Sequence, residues 1–382
     1  MTKSTRAGKY IKQATGYRAF IPKPLPPDPP LDMDRKLLEL VSIADLALGR
    51  LDGSIQTLPD ADLFVFMYIR KEAVLSSQIE GTQSSLNDVL EAEASVFRAG
   101  RPEDINEVIS YINALNYGLE RLREIPVSVR VIREIHERLL QGVRGQARPP
   151  GDLRTTQNWI GPGGSSLLEA VFVPPPPHEV PQALSELEKF LHADFPLPVL
   201  IKIALVHSQF ETIHPFLDGN GRVGRLLITF LLGANDVLQK PVLYISHYFK
   251  RHRDEYYGLL QSVRDEGRWE EWVHFFLEAV GAVSREATET ARHIVSLREN
   301  HRKVIVENFG RATANGLQVL ESLYSRPLIS INDIAAMNNV SFPAASQLMD
   351  RFVEQGILQE FTGRARNRRY RYADYINLFS DQ

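Results

Sequence analysis

The chain has 382 residues, 43% hydrophobic and 24% charged, which is typical of a soluble globular protein with roughly two to three domains. It contains no cysteine, which excludes disulfides, thiolate metal sites and a cysteine nucleophile. Its net charge of -3 gives no overall attraction to nucleic acid or to an anionic membrane. The N-terminus lacks the apolar core of a secretory signal, and the longest apolar stretches are too short to span a bilayer. We therefore expect a cytoplasmic protein with no membrane partner.

The N-terminal third is predicted to be an arm followed by helices. Residues 21–30 contain six prolines, so residues 1–30 are predicted to form an extended, proline-rich arm. Helical periodicity begins at Leu31, and a second helix is predicted over residues 61–80. Gly81 would end that helix, and Ser84 or Ser85 would cap the next one. Residues 31–125 thus form an N-terminal helical region.

The middle of the chain changes character between residues 142 and 181, where glycine and proline are dense. Two short apolar stretches at residues 159–160 and 171–173 flank residues 161–166, which predicts a loop that carries a β-hairpin. The helical pattern returns at His178 and runs to about His301. We assign residues 126–285 to a core domain and residues 286–314 to a linker helix.

Residues 315–382 are predicted to form a separate small domain. Three short helices are predicted over residues 316–324, 331–337 and 342–355, with Ser330 and Ser341 as caps, followed by two strands around residues 363–367. This order of elements resembles a winged helix. Five arginines in the wing could contact a phosphate backbone: Arg364, Arg366, Arg368, Arg369 and Arg371. Residues 311–382 nevertheless hold eight arginines, no lysine and seven acidic residues, a net charge of only +1. This balance favours packing or protein docking over DNA binding, and both interpretations stay open.

The chemistry is concentrated in residues 214–225, His-Pro-Phe-Leu-Asp-Gly-Asn-Gly-Arg-Val-Gly-Arg. Residues 197–213 have helical periodicity, and Pro215 disfavours helical geometry at His214, so His214 is predicted to lie where that helix ends. Another helix is predicted over residues 222–232. A glycine-rich turn that leads into a helix N-terminus presents backbone N–H groups and a positive dipole end, which together bind anions such as phosphate.

The charged residues of this segment predict phosphoryl or nucleotidyl transfer. Arg222 and Arg225 project from one side of the first helical turn, where they oppose the helix dipole unless a polyanion lies nearby. Asp218 would repel phosphates unless a hard cation such as Mg²⁺ lies between them. His214, with a reference pKa of ~6.5, is suited to accept a proton near neutral pH.

Weaker patterns overlap this segment. Gly219, Gly221 and Gly224 match a dinucleotide-binding fingerprint, but a helix precedes them instead of a strand. The start of a P-loop is also imitated, although Arg225-Leu226 replaces the required Lys-Ser/Thr. A kinase-like His-Arg-Asp at residues 252–254 lacks its companion motifs. His207, Glu211 and His214 could share a helix face as metal ligands, although a packing role is more typical for His207.

Residues 214–225 resemble, at every specified position, the signature of the Fic-domain adenylyltransferases, or AMPylators. Residues 154–161 look like the flap of that family, and Tyr256-Tyr257 look like its nucleoside-pocket tyrosines. The resemblance covers about residues 31–280, and the whole chain resembles bacterial members with a C-terminal winged helix. It implies a mainly α fold, a Fic-type helical bundle with a β-hairpin flap.

The resemblance also implies individual roles. His214 would deprotonate a Ser, Thr or Tyr hydroxyl of a target protein, which attacks the α-phosphate of ATP, while Asp218 would hold Mg²⁺. Phe216 would be a buried anchor. The ATP-binding residues would be Gly219, Asn220, Gly221, Arg222, Val223, Gly224 and Arg225. The flap would pair with an extended segment of the target through Ile160, Gly161, Pro162 and Gly163.

The end of the second helix resembles the inhibitory motif of the same family, matched by Ser76, Glu80 and Gly81. A carboxylate in a last helical turn meets the negative end of the dipole, and on the residues alone Glu80 is a solvated side chain. The resemblance implies instead that Glu80 pairs with Arg225 and occupies the γ-phosphate space. This interpretation predicts an adenylyltransferase, autoinhibited from its N-terminal region, that modifies targets and itself.

Two other functions stay open. One is a DNA-binding regulator whose Fic core senses a nucleotide; the intact His214, Asp218 and Arg225 favour the enzyme over this alternative. The other is a variant of the enzyme that removes AMP from a modified target or transfers another phosphate-containing group.

Overall fold

A computed structural model describes residues 5–56, 61–96, 102–141, 150–162, 164 and 166–380. The chain is mainly helical, as predicted. Its helices are α1 (Arg35–Gln56), α2 (Ala61–Ile79), α3 (Leu86–Glu93), α4 (Ile105–Arg121), α5 (Val129–Leu139), α6 (Val180–His192), α7 (Val199–Ile213), α8 (Asn220–Ala234), α9 (Ser246–Arg251), α10 (Arg253–Glu266), α11 (Trp269–Asn308), α12 (Thr313–Leu323), α13 (Ile331–Asn338), α14 (Phe342–Glu354) and α15 (Ala373–Asn377). Within the described residues, no helix is both long and apolar enough to cross a membrane.

The N-terminal arm contains a β-hairpin that we did not predict. Strands β1 (Gly8–Lys12) and β2 (Arg18–Pro22) pair antiparallel, with Gly8 opposite Pro22. Phe20 is buried, and its backbone N–H donates to the carbonyl of Val173 at 2.9 Å. The prolines dominate the composition of the arm, but the aromatic and β-branched residues before them suit a half-buried strand.

Helices α7 and α8 form the centre of the helical bundle. Almost every residue of α7 is buried, which explains its nearly continuous apolar sequence. The indole of Trp272 in α11 donates to the carbonyl of Ala204 in α7 at 2.8 Å. Gly118 of α4 lies so close to Phe230 of α8 that a Cβ there would collide with the ring. The bundle therefore fixes α8, which begins in the predicted phosphate loop, from several sides.

The predicted helix ends at Gly81 and Ser85 are confirmed. Gly81 follows α2 with φ +108°, a conformation that favours glycine. Ser85 caps α3 through a reciprocal capping box with Asp88.

Helix α11 crosses the boundary that we predicted between core and linker. It runs unbroken for 40 residues, which corresponds to about 60 Å at 1.5 Å per residue. Its second half packs on both neighbouring regions, since Ala287 accepts a hydrogen bond from Tyr68 of α2 and Arg298 binds Glu321 of α12. Residues 286–308 of the predicted linker helix are thus continuous with the last helix of the predicted core.

The C-terminal region contains the three predicted helices, α12–α14, and a small antiparallel sheet. Its strands, β3 (Leu328–Ile329), β4 (Gln359–Glu360) and β5 (Tyr370–Arg371), lie in the order β3-β5-β4. Strand β3 and helix α15 were not predicted. Ser330 caps α13 as expected, whereas Ser341 precedes α14 without a side-chain capping bond.

Candidate active site

His214 lies at the end of α7, as Pro215 predicts, in the left-handed region at φ 49° and ψ 61°. Its backbone carbonyl accepts a hydrogen bond from Arg154 Nε at 2.8 Å. Burial lowers the pKa of His214 to about 3, and the positive charges of Arg264 and Arg154 add to the effect. The imidazole is therefore neutral at neutral pH, which is the form that accepts a proton.

The loop after His214 is held by its own side chains. Asn220 accepts from the N–H of Phe216 and donates to its carbonyl, both at 2.9 Å, which closes the turn. Phe216 is fully buried, as predicted, and stacks on His136 of α5 with ring centroids 3.7 Å apart. His136 Nε2 donates to the carbonyl of Asp218 at 3.1 Å. Gly219 then precedes α8 with φ +76°, so the N-terminus of α8 opens at the loop.

The Asp218 side chain is 74% exposed at this helix start. One carboxylate oxygen accepts from the N–H of Gly219 at 2.6 Å, and the other lies 3.8 Å from Arg222. In the described parts of the chain, no group of three or more histidine or acidic residues could hold a metal ion on its own. A single exposed carboxylate suits Mg²⁺, which is usually shared between one or two carboxylates and substrate phosphates.

Both arginines of the motif meet carboxylates from other helices. Arg222 is almost fully buried and binds Glu107 of α4 at 2.8 Å. Arg225 is completely buried, and its guanidinium donates to Oγ and the carbonyl of Ser76 at 2.8 and 2.9 Å. It also binds Glu80 Oε1 at 2.6 Å. The local charge excess that suggested a polyanion is thus compensated within the protein.

The Glu80–Arg225 pair that the resemblance implies is present. Burial alone would raise the pKa of Glu80, but the charge and the hydrogen bond of Arg225, together with the charge of Arg222, outweigh it and hold that pKa below its ordinary value. Glu80 Oε1 lies against the backbone of Gly221, where a Cβ would collide with it. The carboxylate therefore occupies space beside the N-terminus of α8, and its inhibitory role stays a prediction.

Within the described residues, the two apolar stretches of the predicted flap pair antiparallel in one β-bridge, between Ile160 and Phe172, without a longer ladder. The prolines on either side limit the ladder because they lack N–H donors. Gly161 and Pro162 follow the bridge, whereas Gly163 lies outside the described residues. The loop is tied to the motif, since Asn158 donates to the carbonyl of Phe216 at 2.8 Å.

The two tyrosines differ in environment. Tyr256 is fully buried, and its hydroxyl donates to His207 Nε2 at 2.9 Å, while His207 Nδ1 donates to the carbonyl of Gly224. Both ring nitrogens of His207 are thus engaged in packing instead of in metal binding. Tyr257 is partly buried, and burial together with the charge of Glu80 raises its pKa to about 12.

Sequence reasoning missed three residues that shape the site: His136, Glu107 and Arg264. Each contacts the motif or the helix before it, and only His136 carried a signal, as a histidine on the buried face of an amphipathic helix. The other two are charged residues whose pairing depends on long-range contacts. Among the five arginines of the predicted wing, Arg369 binds Asp333 and Arg371 donates to Gln359, whereas the side chains of Arg364, Arg366 and Arg368 are exposed.

Two regions of the chain match a known protein family. Residues 38–120 match the Fic/DOC family N-terminal region and residues 126–232 match the Fic/DOC family. A probable protein adenylyltransferase of Aquifex aeolicus is 28% identical over 202 residues, 53% of this chain and 57% of that protein. The protein adenylyltransferase Fic of Culex quinquefasciatus is 31% identical over 210 residues, 52% of this chain and 38% of that protein.

A crystal structure of a Fic family protein from Desulfovibrio desulfuricans G20 is similar in fold, with a TM-score of 0.59 at 20% identity over 90% of this chain and 97% of that one. The chain spans only about half, or less, of the lengths of the two curated relatives. The chain therefore contains a Fic/DOC N-terminal region at residues 38–120, followed by a Fic/DOC domain at residues 126–232.

Proposed function

We propose that this chain is a protein adenylyltransferase that transfers AMP from ATP to a Ser, Thr or Tyr hydroxyl of target proteins and of itself. The observation that carries the proposal is the position of His214, at the end of α7 and beside a loop that opens the N-terminus of α8. The names of the relatives, protein adenylyltransferases, support the same activity.

In the proposed reaction, the phosphates of ATP bind at the N-terminus of α8, over Gly219, Asn220 and Gly221, where backbone N–H groups and the helix dipole attract anions. His214 takes the proton of the target hydroxyl, whose oxygen bonds to the α-phosphorus. The bond from the α-phosphorus to the bridging oxygen breaks, and pyrophosphate leaves with that electron pair. Asp218 would hold Mg²⁺, whose charge would offset that of the phosphates.

Glu80 is proposed to inhibit this reaction. Arg225 is the charged ligand at the end of the phosphate site, and its pairing with Glu80 must break before a γ-phosphate can bind it. Charge-assisted pairs are among the stronger hydrogen bonds, so the competition should be effective. The release of Glu80 would let the α-phosphate turn in line with the incoming hydroxyl.

The remaining regions have proposed roles in target binding. The loop at Ile160 would pair with an extended segment of the target, which needs little sequence recognition. We keep the division into an arm (1–30), an N-terminal helical region (31–125), a Fic core (126–285), a connecting helix (286–314) and a winged helix (315–382). The helices and three-stranded sheet of the last region support a winged helix, which would contact DNA or another protein.

The test is to incubate the Glu80→Gly chain with ATP labelled at the α-phosphate, Mg²⁺ and a cell lysate. Labelled protein bands, including the chain itself, are expected. The same chain with His214→Ala should lose roughly 10²–10⁴-fold in transfer while it still binds ATP, because only the base is removed. No label with Glu80→Gly would overturn the function, and equal labelling with His214→Ala would overturn the mechanism.

A further inference from the structure

Glu211 is a buried acidic residue one helical turn before His214. Its Oε2 lies 3.9 Å from His214 Nδ1, and its backbone carbonyl lies 3.4 Å from the same nitrogen. The other carboxylate oxygen, Oε1, is buried without a hydrogen-bond partner among the described residues. Burying a carboxylate oxygen without a partner costs free energy. A carboxyl group kept beside the His214 imidazole at this cost suggests that it has a function.

The residues around Glu211 leave its carboxylate available to accept a hydrogen bond from His214. Arg264 of α10 donates at 3.1 Å to the backbone carbonyl of Glu211 instead of to its side chain. Gly224 of α8 faces Oε1, where any Cβ would collide, so α8 leaves room for the carboxylate. His207, on the same helix, already uses both ring nitrogens elsewhere.

Burial raises the pKa of Glu211 to about 7. The charges that act on it come from three directions: Arg225 of α8 and Arg264 of α10 lower that pKa, and Glu80 at the end of α2 raises it. Tyr256 of α10 is close enough for the charge of Glu211 to raise its own pKa. The carboxyl group is thus poised between its neutral and ionised forms in the pH range in which His214 would work.

We propose that Glu211 is the positioning residue for His214. Its carboxylate accepts the Nδ1–H, which leaves the lone pair of Nε2 for the target hydroxyl, and its negative charge stabilises the imidazolium once the proton is taken. This inference rests on the proposed function. In the structure, Nδ1 donates to the backbone carbonyl of Glu211 at 3.4 Å, so the carboxylate must close its 3.9 Å separation and share or take over this N–H.

The arrangement also compensates for the low basicity of His214. A histidine buried between Arg154 and Arg264 gains a proton reluctantly, because both neighbours repel the imidazolium. A carboxylate on the opposite nitrogen reverses part of that repulsion, as the third member of a Ser-His-Asp triad does. Glutamine at position 211 would match the shape of glutamate and lack this charge, so the two roles of packing and positioning can be separated.

The experiment compares Glu211→Gln and Glu211→Asp in the Glu80→Gly chain, with Glu186→Gln, a partly exposed glutamate of α6, as the control. Glu211→Gln should lower kcat by about 10–100-fold and change the KM for ATP by less than about threefold. The rise of kcat/KM with pH near 7, where Glu211 ionises, should disappear. Glu211→Asp should keep that rise at a reduced rate, and Glu186→Gln should match the parent. A Glu211→Gln chain with parental kcat and pH profile would overturn the proposal.

A second measurement needs no catalytic activity. Imidazole ¹⁵N resonances of the parent, with His214 assigned by comparison with His214→Ala, should show the Nδ1-protonated tautomer and an inflection near pH 7, where Glu211 ionises. An Nε2-protonated tautomer, or no inflection, would overturn the proposal. If the Glu80→Gly chain transfers no label at all, the proposed function fails, and this titration alone decides whether Glu211 holds Nδ1.

Discussion

The carboxylate of Glu80 lies against the backbone of Gly221, where even a Cβ would collide with Oε1. Gly221 is also one of the residues that we propose to hold the phosphates. The same small volume therefore cannot contain both the Glu80 carboxylate and a nucleotide phosphate. Inhibition by Glu80 would act by occupancy as well as by its charge.

Glu80→Gly should raise the transfer of labelled AMP by an order of magnitude or more, because it empties this volume and frees Arg225. Glu80→Gln, which keeps the volume and loses the charge, should give an intermediate rate. The double variant Glu80→Gly/Arg225→Ala should be slow, since it deletes the phosphate ligand together with the inhibitor. If the Glu80→Gly chain labels targets at the parental rate, Glu80 does not inhibit the reaction and is only a side chain at a helix end.

The Glu80–Arg225 pair should make stability depend on pH at the acidic end. Because the pKa of Glu80 in the folded chain is below its ordinary value of 4.5, the contribution of the pair is complete above that value. It is lost as the pH falls through the lower pKa of the folded state. Urea unfolding of the parent and Glu80→Gln should differ at pH 7 and converge as the medium is acidified below about 4.5. A difference that does not vary with pH would contradict the pairing.

Gly118→Ala should destabilise the chain by about 1–3 kcal/mol, because its Cβ would enter the space of Phe230 behind the phosphate loop. Gly49→Ala is the matched control: it lies in helix α1, a Cβ there would have nothing within 4 Å, and the change should stabilise by roughly 0.5–1 kcal/mol. Urea unfolding measures both. If both substitutions changed the free energy of unfolding equally, α4 and α8 could move apart to admit the new Cβ without loss of stability.

The wing predicts a specific salt dependence if the C-terminal region binds DNA. Arg364, Arg366 and Arg368 are exposed, whereas Arg369 and Arg371 are engaged with Asp333 and Gln359. Replacing the three exposed arginines by alanine should flatten the log–log slope of affinity against salt by about 0.9 for each lost phosphate contact. Arg369→Ala should leave the slope nearly unchanged. No shift of any duplex at low salt would favour protein docking.

Features that depend on neighbouring residues were predictable from the sequence. Gly81 and Ser85 end and begin helices by their own conformational preferences, and Pro215 places His214 at a helix end. The glycines and the asparagine of residues 214–225 likewise predict the loop between α7 and α8 from the sequence alone.

Features that depend on distant residues were not predictable. Arg222 binds Glu107, 115 positions away, and Phe216 stacks on His136, so neither contact leaves a local pattern. The flap pairing is shorter than predicted for a different reason: its apolar stretches suggest two strands, but its prolines lack the N–H donors that a longer ladder needs. The hairpin of the arm was not predicted because the prolines of residues 22–30 dominate the composition of this region.

The N-terminal arm is joined to the start of helix α11. Arg6 donates to both carboxylate oxygens of Glu270, at the start of α11, and also to the carbonyls of Pro29 and Pro30. Phe20 meanwhile bonds to Val173 beside the flap. A fragment cut at the borders of the two matched regions would lose the arm and α11, and with them the bond between Trp272 and α7. The part of the chain that must stay together to fold is therefore larger than the two matched regions. Chimaeras should exchange the arm, the helical bundle and the long helix α11 together.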